Sequence, residues 1–173
     1  MNTKQFTRLS LLLALSVVLN LIESVIPLFN GVIPGLKIGL ANIVILFVLY
    51  EYSFKNTVYV ALLRVIIVGI LRTGLFSITF YFSLGGTLLS IIMMYLLKKL
   101  SKLSIIGISI VGSISHSIGQ IIVACFLMNT SSMIFYLPWI LLFSIPTGIF
   151  TGLLAKELIK NYNQLLKIKD NYY

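Results

Sequence analysis

Charge is scarce in this chain, and acid is scarcer still. Of 173 residues only 10% are charged, four are acidic, and Asp170 is the single aspartate. A soluble domain carries roughly 25% charged residues, because charge coats the face turned to water. With 59% hydrophobic residues and a mean hydropathy of +1.08, this chain cannot build such a face. The shortage of acids also excludes chemistry that joins diphosphates through magnesium, which needs clustered carboxylates. One cysteine, Cys125, excludes an internal disulfide and reads as a small core residue in its apolar run. One histidine, His116, has no second His or Cys to make a metal-ligand set. There is no Gly-rich phosphate loop with its lysine and no nucleophile–base arrangement. The expectation is a chain that is not an enzyme and holds no cofactor and no metal.

What the chain has in abundance is apolar length. Six segments stand out, at about Thr7–Leu28, Leu36–Tyr50, Thr57–Gly74, Ser77–Leu97, Ile105–Met128 and Met133–Ile159. The first contains Glu23 and lacks a small-x-small cleavage site after it, so it reads as a retained helix rather than a signal peptide. The second is short, and Pro27, Gly31, Pro34 and Gly35 punctuate the stretch before it.

The net charge of +9 is placed as a membrane protein places it. Lys4, Arg8, Lys55, Lys98, Lys99, Lys102, Lys156, Lys160, Lys167 and Lys169 fall on one side of the alternating segments. Lys37 and Arg72 fall on the other, with Arg64 inside a span. Basic residues collect on the cytoplasmic side of membrane proteins. No basic stripe interleaved with aromatics points to nucleic acid. The fold class expected is an all-α membrane protein, a six-transmembrane-helix bundle in the lipid bilayer with both termini cytoplasmic. Residues 1–173 would form one integral domain in the cell membrane.

Polar groups inside spans need a reason, since an ionisable one costs at least ~2.5 kcal/mol on insertion scales. Ser16, Asn20 and Glu23 share a face of the first helix, and Ser109, Ser113, His116 and Gln120 form a stripe on the fifth. Thr79, Ser83, Gly86 and Ser90 repeat that spacing on the fourth. Arg64 lies near the middle of the third helix, Arg72 near its outer end, and Asn42 near the outer end of the second. These faces can line a pocket that opens outward. The bland alternative is a structural Glu23–Arg64 or Glu23–Arg72 pair with serines bonding helices together. Lys37, Arg64, Arg72 and His116 set against Glu23 favour an anionic or zwitterionic small molecule, because arginine grips carboxylate and phosphate well. The expected substrate-binding residues are Glu23, Lys37, Asn42, Arg64, Arg72, His116 and Gln120.

Small residues make a further pattern. Ser10 and Ala14 lie four apart on the first helix, on the side roughly opposite Glu23, and Ser144, Gly148 and Gly152 repeat the spacing on the last. Such faces let helices approach closely.

Three stretches carry a resemblance. Pro34-Gly35-Leu36-Lys37-Ile38-Gly39-Leu40-Ala41-Asn42-Ile43, Leu62-Leu63-Arg64-Val65 and Ser115-His116-Ser117-Ile118-Gly119-Gln120 resemble the Gx transporter family. Its members are often labelled component I of heptaprenyl diphosphate synthase, and the likeness runs from about Leu9 to Ala155. The family is similar to the substrate-binding S components of energy-coupling factor transporters. That resemblance implies an S-component-like bundle of six helices holding a small-molecule substrate in an outward pocket. It also implies a partner, a membrane T component driven by two cytoplasmic ATPases. Many S components dock through an Ala-xxx-Ala face on the first helix, for which Ser10 and Ala14 are the nearest match here. Two other roles are open to such a chain: a membrane subunit in isoprenoid or quinone synthesis, and a self-contained secondary transporter.

Overall fold

The computed structural model describes residues 3–25 and 39–170. Among them the chain is helical, without strands. The helices are α1 (Thr3–Val25), α2 (Leu40–Glu51), α3 (Phe54–Val68), α4 (Ile78–Leu100), α5 (Ile105–Leu127) and α6 (Leu137–Asp170). A π-helical turn (Gly69–Thr73) extends α3, and a 3₁₀ segment (Ser131–Tyr136) leads into α6. Serine starts three of these helices. The hydroxyls of Ser53, Ser77 and Ser104 accept the N–H groups of Asn56, Phe80 and Gly107. Each covers an N–H that the first turn leaves without an intrahelical partner.

Five helical stretches are long and apolar enough to cross a membrane, in Thr3–Val25, Phe54–Thr73, Ile78–Leu100, Ile105–Leu127 and Ser132–Leu165. The chain is a multi-pass membrane protein. In the expected span at Leu36–Tyr50, the described helix α2 has 12 residues, about 18 Å at ~1.5 Å per residue, against a hydrocarbon core of ~30 Å. Residues 36–38 of that span lie outside the described residues. Shortness goes with burial, since Ala41 and every residue from Ile43 to Leu49 are buried. A helix apolar all round belongs at the centre of a bundle. It is packed there by Leu9, Val60, Ala61, Ile91, Met94, Ile108, Ala155 and Ile159 from the surrounding helices.

Because α2 stops short, its last carbonyls need partners. Lys98 of α4 donates to the carbonyl of Leu49 at 2.7 Å and stands over the Tyr50 ring. At the same end of the bundle Arg8 of α1 donates to the Tyr162 hydroxyl at 3.3 Å, and Asn163 donates to Glu51 at 3.3 Å. This end gathers the starts of α1 and α3, the ends of α2 and α4, and the late part of α6.

Candidate functional site

A cavity occupies the other half of the bundle, and all six helices wall it. Asn20 and Glu23 face it from α1, and Gly39, Ala41 and Asn42 from the first turn of α2. Arg64, Val65 and Val68 of α3 continue into Gly69 and Thr73 of the π turn. Phe80, Ser83 and Thr87 line it from α4, and Ser113, His116, Ser117 and Gln120 from α5. Ile140, Ser144 and Thr147 of α6 close the ring. The centres of water-sized particles find about 50 Å³ of room inside, which is space for roughly four waters.

Arg64 is the central feature. Only 4% of it is exposed, yet it lines the cavity. One Nη donates to Asn42 Oδ1 at 3.2 Å and the other to Thr87 Oγ1 at 3.1 Å. Neutral oxygens from α2 and α4 thus hold the guanidinium in place without cancelling its charge. Two donations leave three of its five N–H groups for other partners.

Glu23 plays a different part. Its carboxylate accepts the N–H of Gly39 where α2 begins, so it sits at the positive end of that helix, where negative charge is favoured. Glu23 is buried, faces the same cavity and acts electrostatically on Arg64. No direct Glu23–Arg64 ion pair closes the space between them; the ion pair seen among the described residues is the exposed Lys160–Glu157.

Five of the seven expected binding residues are brought together: Glu23, Asn42, Arg64, His116 and Gln120. Lys37 lies outside the described residues. Arg72 does not line the cavity; it is exposed and donates to the Ser24 carbonyl at 3.3 Å. The π turn explains this. On a continuous α-helix Arg72 would sit about 80° round from Arg64, in the middle of the face that Arg64, Val65, Val68 and Gly69 present. A π turn closes i→i+5 bonds and so adds one residue to the turn. Thr73 takes the lining position and Arg72 is carried past it.

Thr87 was not anticipated, though it lies seven residues after Phe80 and four after Ser83 on one face. Ser144, read through the small-residue spacing as packing, reaches the cavity, and so does Thr147, which no sequence pattern singles out. Ser16, on the expected polar face, is fully buried and bonds the Ala41 carbonyl instead. Ser10 and Ala14 are exposed on the outer side of α1, beside Phe6, Leu11, Leu15 and Val18.

The comparison with protein families now has a site to bear on. A family model described as heptaprenyl diphosphate synthase component I matches residues 12–158. The chain belongs to that family. The matched stretch takes in every lining residue of the cavity. No curated protein and no solved structure matches the chain.

Proposed function

We propose that this chain is the substrate-binding membrane component of an energy-coupling factor type uptake transporter, acting on a small anionic nutrient or cofactor precursor. The observation that carries this reading is Arg64, a cation buried in a polar cavity within a membrane-spanning bundle. Ionisable groups inside membrane spans mark substrate and ion paths because they are too costly to keep otherwise. Lys4, Arg8, Lys55, Lys98, Lys99, Lys102, Lys156 and Lys160 supply the positive charge that the positive-inside rule assigns to the cytoplasm. In this reading the termini face the cytosol, and the cavity opens to the outside of the cell membrane. The chain itself is non-enzymatic. A membrane T component and its two ATPases would supply the energy, and the exposed Ser10 and Ala14 side of α1 offers a flat face for it.

The family description favours a second reading, a membrane subunit associated with heptaprenyl diphosphate synthesis. Against it, no three of the described His, Cys, Asp and Glu side chains gather as a metal–diphosphate site would require. Uptake assays decide between them. Cells expressing this chain should accumulate the substrate only when a T component and both ATPases are present, and Arg64→Leu should abolish accumulation with expression unchanged. A soluble prenyl synthase that becomes active only on adding this chain would support the second reading. Ion-driven uptake by this chain alone would make it a secondary transporter.

A further inference from the structure

We infer that the molecule this cavity accepts is a compact, non-aromatic monocarboxylate rich in hydroxyl or amino groups. The inference rests on the transport reading only in taking the cavity as a binding site.

Charge comes first. Among the described lining residues Arg64 is the one arginine or lysine, and Glu23 acts on it from within the same cavity. A guanidinium pairs naturally with a carboxylate through two parallel N–H bonds. Among the described lining residues a second negative charge on the ligand would find no second arginine or lysine, and it would stand in the same cavity as the Glu23 carboxylate. Diphosphates are therefore disfavoured and a single carboxylate preferred.

Shape and polarity come next. Aromatic ligands are usually held by aromatic walls, and among the described lining residues Phe80 alone is aromatic. Its ring is already committed. It lies edge-on to Phe76 and Tyr81, and a Cβ added to Gly69 would meet it at 2.8 Å. The apolar remainder among the described lining residues is Ala41, Val65, Val68 and Ile140, too little to clothe a prenyl tail. Hydroxyl and amide side chains make up most of the rest, from α1, α2, α4, α5 and α6. Asn42, Thr87, Ser117, Ser144 and Thr147 already bond protein partners, which leaves Asn20, Ser83, Ser113 and Gln120 as lining side chains to meet hydroxyl or amino groups of a ligand. Among the described walls the room is that of a few waters, which suits a compact ligand.

The test uses the full chain in detergent, read by thermal shift and by native mass spectrometry. Glycerate, L-serine and L-threonine form one probe set, nicotinate and benzoate a second, and isopentenyl diphosphate a third. Molecules that copurify with the protein are extracted and identified in parallel. The expected result is stabilisation by the first set or a copurifying non-aromatic monocarboxylate. Affinity should fall at least tenfold in Arg64→Leu and partly recover in Arg64→Lys. Binding of an aromatic acid or a diphosphate, dependent on Arg64, would overturn the ligand class and leave the transport reading standing. Failure of the first set together with no such copurifying molecule overturns it too. Carboxylate binding without T-component-dependent uptake would instead sink the transport reading and leave this inference intact.

Discussion

The two halves of the bundle are built by opposite rules. In α4, α5 and α6 the helices touch backbone to backbone. A Cβ on Gly119 would stand 2.7 Å from the Gly85 carbonyl oxygen, and one on Gly148 would stand 2.6 Å from the Cα of Ile110. Hydroxyls stitch the same seams: Ser90 to the Gly112 carbonyl at 2.8 Å, Ser109 to Thr151 at 2.9 Å and Ser117 to Ser144 at 2.6 Å. No charge is buried there among the described residues. By contrast, α1 and α3 carry the two buried charges found among the described residues, Glu23 and Arg64, on either side of the largely buried α2. Small residues bring stability where lipid offers no hydrophobic drive, while buried charge costs stability and serves a ligand. The cavity lies on the seam between the halves.

If that division is right, the largest effect on binding should come with the least harm to folding. Arg64→Leu removes a charge-assisted bond of about 1.5–3 kcal/mol, so affinity for the ligand should fall roughly 10–150-fold. Its melting temperature should stay level or rise, because a costly buried cation has gone. A collapse of the fold in this variant would show that Arg64 is a structural pin and would erase the contrast.

The converse variant belongs to the other half. Gly119→Ile forces a branched side chain against the Gly85 backbone, and overpacking of this kind costs about 1–3 kcal/mol. Thermal unfolding in detergent should show that loss, while the fraction still folded binds ligand normally, since Gly119 does not line the cavity. A smaller effect of about 1 kcal/mol is expected for Lys98→Met, which strips the carbonyls of Leu49 and Tyr50 of their donor. That loss should appear in hydrogen exchange at the end of α2 and leave ligand affinity unmoved.

How far these halves could be read from sequence depended on whether helical periodicity held. It held for α5, where Ser113, His116 and Gln120 share a face and do meet the cavity. It also held for Asn20 and Glu23 on α1. It failed where the backbone left the α-helical register. No composition signal announces a π turn at Gly69–Thr73, so Arg72 was assigned to a face that Thr73 occupies. The depth of α2 was equally hidden, because an apolar run says nothing of where its helix starts. Only the start at Leu40 puts Asn42 within reach of Arg64. Small residues were ambiguous for a different reason: the spacing that lets Gly148 approach α5 also carries Ser144 into the cavity.

The finest comparison removes one hydroxyl from a helix seam and one from the cavity wall. Ser109 and Thr151 bond each other between α5 and α6, away from the cavity, and Thr151 also bonds the Thr147 carbonyl at 2.9 Å. Ser109→Ala should therefore cost only about 0.6 kcal/mol, the average for hydrogen bonds between membrane helices, and leave affinity unchanged. Thr87 is equally buried, at 2% exposure, but its hydroxyl orients Arg64. Thr87→Val keeps the shape and removes the acceptor, so the guanidinium loses one of its two neutral anchors. A bond of about 0.5–1.5 kcal/mol then appears as roughly a 2–13-fold loss of ligand affinity, with melting little changed. Isothermal titration and thermal unfolding on both variants separate the two outcomes. Equal losses of stability in both, with no change of affinity in either, would mean that Thr87 is one more stitch between helices and that the cavity wall is built like the seams around it.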